Sequence, residues 1–103
     1  MYKLIYLYIL KCNDGTYYTS VTNDLEKRIE QHNLGINEDA YTHSRRPVTV
    51  VWKELFNDFK LAFEWETGIK KWSSKKKEAL INNEFELLKP LSKKNFSKKN
   101  NKL

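Results

Sequence analysis

A chain of 103 residues is one domain by size, and with 40% hydrophobic and 14% aromatic residues it can build a core rather than stay disordered. Its single cysteine, Cys12, excludes an internal disulfide, and no apolar run approaches the roughly 18–20 residues that cross a bilayer. The formal net charge of +6 points only weakly to nucleic acid, because six lysines between Lys89 and Lys102 carry it and residues 1–88 hold 13 basic and 13 acidic side chains.

The chain opens on Lys3-Leu4-Ile5-Tyr6-Leu7-Tyr8-Ile9-Leu10-Lys11, rich in β-branched and aromatic residues. The run is too continuous for a strand with one wet face, so residues 3–11 are read as a central strand covered on both sides. It has neither a basic leader nor a small-residue cleavage site, so no signal peptide is expected and the cytoplasm is the default compartment. Asn13-Asp14-Gly15 marks a hairpin, since Asp-Gly reaches positive φ cheaply, and Thr16–Val21 is the returning strand. Asn23 is expected to cap a first helix, with Glu26 completing a capping box, and the helix stops near Gly35. Residues 35–47 show no period and contain Pro47, so they read as loop.

Val48–Trp52 is a third strand, Asn57-Asp58 opens a second helix over 59–72, and residues 75–83 form a third. Beyond Pro90 the Lys/Asn/Ser-rich stretch is expected to be disordered. The order β-β-α-β-α-α predicts an α+β domain over residues 1–88, a small three-stranded antiparallel sheet flanked by helices, followed by a basic tail over 89–103.

Several side chains are placed for more than packing. Tyr6, Tyr8, Tyr17 and Tyr18 crowd one hairpin, with Tyr6 and Tyr8 on one face of the first strand; tyrosines in a sheet ordinarily pack with the hydroxyl at the rim. Leu25, Arg28, Ile29 and His32 share one helix face, which is either an amphipathic border or a charged pair facing a site. On the second helix Phe59, Ala62, Phe63, Ile69 and Ser73 trace an apolar stripe with Glu66 in its middle. A carboxylate there must be paired, for which Arg28 is the natural partner, or protonated, or bound to metal. A second stripe, Leu61, Trp65, Gly68 and Trp72, suggests another packed face with Gly68 allowing a close approach. Lys70, Lys71, Lys75, Lys76 and Lys77 cluster near the helix end, where the dipole favours lysine in any case.

Together these residues resemble the GIY-YIG nuclease family, in particular its small stand-alone bacterial (UPF0213-like) members. The first motif is Tyr6-Leu7-Tyr8, the second Tyr18-Thr19-Ser20, where the family has Tyr-x-Gly. Arg28 and His32 follow at the family's helical spacing, then His32-Asn33-Leu34-Gly35, Tyr41-Thr42 and Arg46-Pro47. Ala62, Glu66, Ile69 and Lys70 match the pattern of the second helix. The match spans residues 2–83 in order and spacing, and Ser20 is its one departure, which puts the placement of the tyrosines in question.

The resemblance implies an endonuclease hydrolysing phosphodiester bonds in DNA, with RNA as a further substrate class, selective for structure and serving repair or recombination. It implies Glu66 as the ligand of one Mg²⁺, for which Mn²⁺ can substitute, and Arg28 as the grip on the scissile phosphate. Tyr8 becomes the general base or water-orienting group, with Tyr18 opposite and His32 as a relay. A tyrosine pKa near 10 suits such a base poorly, so metal, Arg28 or His32 must depress it or take the proton. Nucleic-acid contacts fall to Arg28, Tyr41, Arg45, Arg46, Lys70 and Lys71; no membrane and no small-molecule cofactor is implied. Two alternatives stand beside this reading: a catalytically weak or inactive nucleic-acid-binding module on the same fold, and a protein-binding accessory anchored by Trp52, Trp65 and Trp72.

Overall fold

The computed structural model describes residues 4–84, so the expected disorder of 89–103 lies outside the described residues. The chain forms two compact units, Met1–Lys71 and Trp72–Leu103. The first contains β1 (Ile5–Lys11), β2 (Tyr17–Thr22), α1 (Leu25–Leu34), a 3₁₀ turn (His43–Arg45), β3 (Thr49–Phe56) and α2 (Phe59–Lys70); the second contains α3 (Ser74–Ile81). This is the α+β order expected from the sequence.

The sheet is antiparallel with order β2-β1-β3, so the opening apolar run is its centre. Leu7, Tyr8, Ile9 and Leu10 are all fully buried, on alternating sides of the strand, and both faces of β1 are therefore covered. Tyr8, Leu10 and Cys12 form one cluster with Leu25 of α1 and with Val48, and Tyr6, Tyr18, Ile29 and Val50 pack against it. α2 packs against all three strands. Gly15, at φ +87°, closes the β1–β2 hairpin as its Asp-Gly signal requires. In that hairpin Tyr8 pairs with Ser20 and Leu10 with Tyr18.

Several expectations change. α1 is capped by Asp24, not Asn23: the Asp24 carboxylate accepts from the Lys27 N–H, while the Asp24 N–H is taken by Thr22 Oγ1. Glu26 then falls one residue early for a capping box. β3 runs to Phe56, four residues past Trp52, because polar Lys53 and Glu54 sit in register opposite Tyr8 and Leu7. On α2 the buried residues are Ala62, Glu66 and Ile69. Phe59 and Phe63 are 51% and 44% exposed and pack edge to face on each other, so they do not share the buried stripe. Leu61 is exposed as well, and among the described residues nothing lies within 4 Å of where a Cβ would sit on Gly68, so none of them makes the close approach expected there. Ser73 belongs to α3, whose N-terminus it caps by accepting from the Lys76 N–H; within the same unit the Lys76 ammonium lies 4.2 Å from the centre of the Trp72 ring.

Candidate functional site

Four of the side chains singled out in the sequence converge where β1 and β2 meet α1. Tyr8 is 0% exposed on the central strand, yet its ring leads to polar company. Its hydroxyl lies 3.5 Å from His32 Nε2, and its cross-strand partner Ser20 and the Arg28 charge both favour its ionised form. The Tyr18 ring meets the His32 ring edge-on, centroids 5.3 Å apart. The helical spacing of Arg28 and His32 turns both towards the paired tyrosines, while Leu25 and Ile29 on the same face enter the core.

The electrostatics follow from burial. Burial pushes the Tyr8 phenol above its ordinary value, and the opposing pull of Ser20 and Arg28 does not overcome it. Arg28 alone therefore does not bring Tyr8 below the ordinary tyrosine value. Burial, then the Arg28 charge, pushes His32 below the usual imidazole value, so the ring is neutral at neutral pH. The other ring nitrogen, Nδ1, lies 2.8 Å from Thr42 Oγ1. In the tautomer whose Nδ1–H donates to Thr42, Nε2 is an acceptor facing the Tyr8 hydroxyl.

Thr42 is 1% exposed, although in the sequence it is no more than a motif position. It precedes the 3₁₀ turn but its hydroxyl makes no capping bond there, which leaves it for His32. The loop carrying it is held by side chains. The Asn33 amide donates to the Val48 carbonyl and accepts from the Val48 N–H, as a neighbouring strand would. Arg46 donates to the His43 and Asn33 carbonyls, and its guanidinium lies over Gly35, where any Cβ would collide with it; Gly35 ends α1 at φ +70°. Arg45 donates to Asp14 at 2.9 Å and to the Tyr41 carbonyl, with its guanidinium 3.9 Å from the centre of the Tyr41 ring. Tyr41 is exposed and stacks on Tyr18 at 6.0 Å. Arg45 and Arg46 thus hold the loop, and only Tyr41 among the three loop candidates is free of that work.

Beside these groups opens a cleft of about 290 Å³, lined among others by Tyr18, Arg28, Gln31, His32 and His43. Gln31 and His43 are additions that the sequence did not single out. Glu66 is not among the lining residues. It is 8% exposed on α2, and Lys70 reaches its Oε2 at 3.1 Å. The ion pair expected with Arg28 is therefore made with Lys70, one helical turn on. Lys71 follows α2 and is exposed. Among the described residues no three His, Cys, Asp or Glu side chains gather as a metal cage. What fits instead is a hard cation held by one carboxylate and otherwise by water and substrate oxygens. Glu66 already attracts a cation, and half-exposed Lys70 can yield its place.

Residues 4–79 match the model of the GIY-YIG catalytic domain. A UPF0213 protein of Bacillus pumilus is 43% identical over 76 residues, covering 74% of this chain and 76% of that one. One from Staphylococcus saprophyticus is 46% identical, covering 74% and 92%. Among solved structures, a UPF0213 protein of Bacillus halodurans superposes with a TM-score of 0.51 at 38% identity, covering 77% of this chain and 83% of that one. A protein of E. faecalis gives 0.58 at 35%, covering 84% and 93%.

Proposed function

This chain belongs to the GIY-YIG nuclease family, and on that premise we propose that it is a Mg²⁺-dependent endonuclease acting on DNA. The observation that carries the reading is the line Tyr8–His32–Thr42 beside Arg28, in which His32, Thr42 and Arg28 line the cleft and Tyr8 is buried. Phosphodiester hydrolysis needs a proton taken from water and charge relief at the phosphate. Arg28, a planar donor that cannot lose its charge, binds the scissile phosphate. Tyr8 acts as a proton carrier: its hydroxyl passes its proton to neutral His32 Nε2 and takes one from the attacking water. Thr42 holds His32 in the tautomer that can receive it. Tyr18, packed against His32, orients water or phosphate from the β2 side. A Mg²⁺ at Glu66, or Mn²⁺ in its place, supplies Lewis-acid polarisation and charge neutralisation when bound.

The 3.5 Å between Tyr8 and His32 is long for a working proton transfer, and such contacts commonly tighten when substrate binds. Arg28 addresses phosphate and not a base edge, so on this reading the protein recognises nucleic-acid structure, such as branches or nicks, rather than sequence. The role we propose for it is in repair or recombination, with the cytoplasm as its compartment. Among the described residues no helix is long and apolar enough to cross a membrane.

Two observations favour a second reading, a binding module without turnover: Glu66 is held by Lys70, and burial pushes Tyr8 away from its ionised form. Labelled single-stranded, duplex and branched DNA with Mg²⁺, Mn²⁺ or EDTA separates the two. The nuclease cuts only with metal, and Glu66→Gln cuts at less than about a hundredth of the wild-type rate while folding normally. Metal-independent binding with intact DNA in every lane selects the binding module.

A further inference from the structure

Tyr41 takes no part in the proton transfers or the phosphate grip, yet its ring is held in place. The residue is 42% exposed, while Thr42 beside it is buried. Arg45 donates to Asp14, at the tip of the β1–β2 hairpin, at 2.9 Å. The same guanidinium donates to the Tyr41 carbonyl at 2.7 Å and lies 3.9 Å from the centre of the Tyr41 ring. The Asn13 N–H donates to the Arg45 carbonyl at 2.8 Å, so hairpin and loop are tied at two points. Tyr18 lies nearly parallel to the Tyr41 ring, with 14° between the planes and 6.0 Å between the centroids, an offset stack. A ring fixed by an ion pair but left in solvent has already lost freedom that a ligand would otherwise have to remove.

Its surroundings decide what that ligand is. Only the Tyr18 ring stands between Tyr41 and His32, which Tyr18 meets edge-on at 5.3 Å. Ala40 and Thr42, on either side of Tyr41 in the chain, line the cleft together with Arg28. Ile36, 64% exposed, adds an apolar surface to the same cleft. Among the described residues that line it, none is acidic. A guanidinium in the lining and flat apolar surface beside it suit a ligand that is anionic at one end and flat at the other, as a nucleotide in a strand is. At about 290 Å³ the cleft lies just below the roughly 300–1,000 Å³ of sites for whole small ligands, so it admits one unit of a strand and not a duplex. Bases within a duplex already stack on their neighbours, so a platform outside it gains only from a base that is unpaired.

We propose that Tyr41 is the stacking platform for one unpaired base, that of a nucleotide beside the phosphate held by Arg28, and that it gives the protein its preference for an unpaired strand over intact duplex. The proposal rests on the reading of Arg28 as the grip on the scissile phosphate of DNA. Every base offers a flat face, so the ring discriminates strand state and not sequence.

The test uses the full chain as wild type, Tyr41→Ala, Tyr41→Leu and Tyr41→Phe, each checked for folding by its urea midpoint. Binding is read by fluorescence anisotropy in EDTA, so that no strand is cut, on three probes of equal length: a single strand, the duplex of the same sequence, and a single strand of abasic units. Tyr41→Ala and Tyr41→Leu should bind the single strand about tenfold more weakly and hold the duplex and the abasic strand as wild type does. Tyr41→Phe, which keeps the ring, should follow wild type on all three. Equal losses on all probes overturn the proposal, and so does an unmoved single-strand affinity or a loss in Tyr41→Phe. A wild-type dimer in sedimentation that Tyr41→Ala converts to monomer makes the ring a contact between copies and overturns it too. Addition of Mg²⁺ separates this failure from that of the nuclease reading. A base-dependent loss in a protein that cuts none of the probes keeps the platform and overturns the nuclease reading instead.

Discussion

Of the side chains around the cleft, His32 is the imidazole that faces the Tyr8 hydroxyl, so its charge decides whether the phenol proton has an acceptor. Burial and Arg28 lower its folded-state value below the ordinary 6.5, so the ring stays neutral to more acidic pH than a free histidine does. A neutral ring can accept the Tyr8 proton and a protonated one cannot. Cleavage should accordingly hold through neutral pH and fall only as the pH drops below about 6.5. Stability has the matching sign. The unfolded chain takes up a proton on His32 near 6.5 while the folded one resists, so folding weakens as pH falls through that value and levels off below the folded-state value. His32→Gln should remove the acid limb of the pH–rate profile with most of the rate, about a hundredfold. It should also flatten the change in urea midpoint between pH 7.5 and 5.5. An unchanged acid limb in that variant would assign the titration to another group.

What the sequence could convey at this scale was chemistry at fixed local spacing. Arg28 and His32 lie one helical turn apart, and Tyr8 sits on a strand whose alternation is visible, so their meeting was legible once hairpin and helix were placed. Thr42 was not legible as a partner of His32. It lies ten residues further on, in a stretch without period, and its role depends on how that stretch folds back.

At the scale of elements, the loop between α1 and β3 does what a regular element does elsewhere, but through side chains. Asn33 is central: its amide makes both bonds to Val48 that a paired strand would make, at 3.2 and 2.8 Å. Val48 belongs to the buried cluster around Tyr8, so this bridge ties the end of α1 to the start of β3 beneath the cleft. Asn33→Ala leaves two backbone groups of Val48 without partners and should destabilise the fold by about 2 kcal/mol. For a domain of this size that is a fall in Tm of roughly 10 °C, measurable by calorimetry. A Tm within a degree or two of wild type would mean water replaces the amide. Such side-chain-to-backbone bonds leave no periodic trace, which is why 35–47 read simply as loop. α2 failed to read correctly for a different reason. The expected stripe joined Phe59 and Phe63 to Ala62, Glu66 and Ile69, and only the last three are buried. Which face is buried is set by where the sheet lies, and a single helix does not encode that.

At the scale of the whole molecule, the charge is unevenly distributed in a way that separates holding nucleic acid from cutting it. Residues 1–88 are formally neutral, and six lysines follow from Lys89 to Lys102. Of the cations in the first unit, Arg45 is bound to Asp14 and Lys70 to Glu66, so Arg28 is the one positioned at the cleft. Phosphate contacts by unpaired lysines release counterions and make affinity fall steeply with salt. If the six terminal lysines supply that affinity, their replacement by glutamine in the full chain should reduce the slope of log K against log salt by up to about 5 for duplex DNA and about 4 for single strands. Cleavage at saturating DNA should hardly change, because no group that touches the scissile phosphate is altered. Fluorescence anisotropy across a salt series, with the cleavage assay beside it, measures both. An unmoved slope would assign the phosphate contacts to the folded body, with Arg28 first among them. A lost cleavage rate at saturation would instead make the lysines part of how substrate is presented to the cleft.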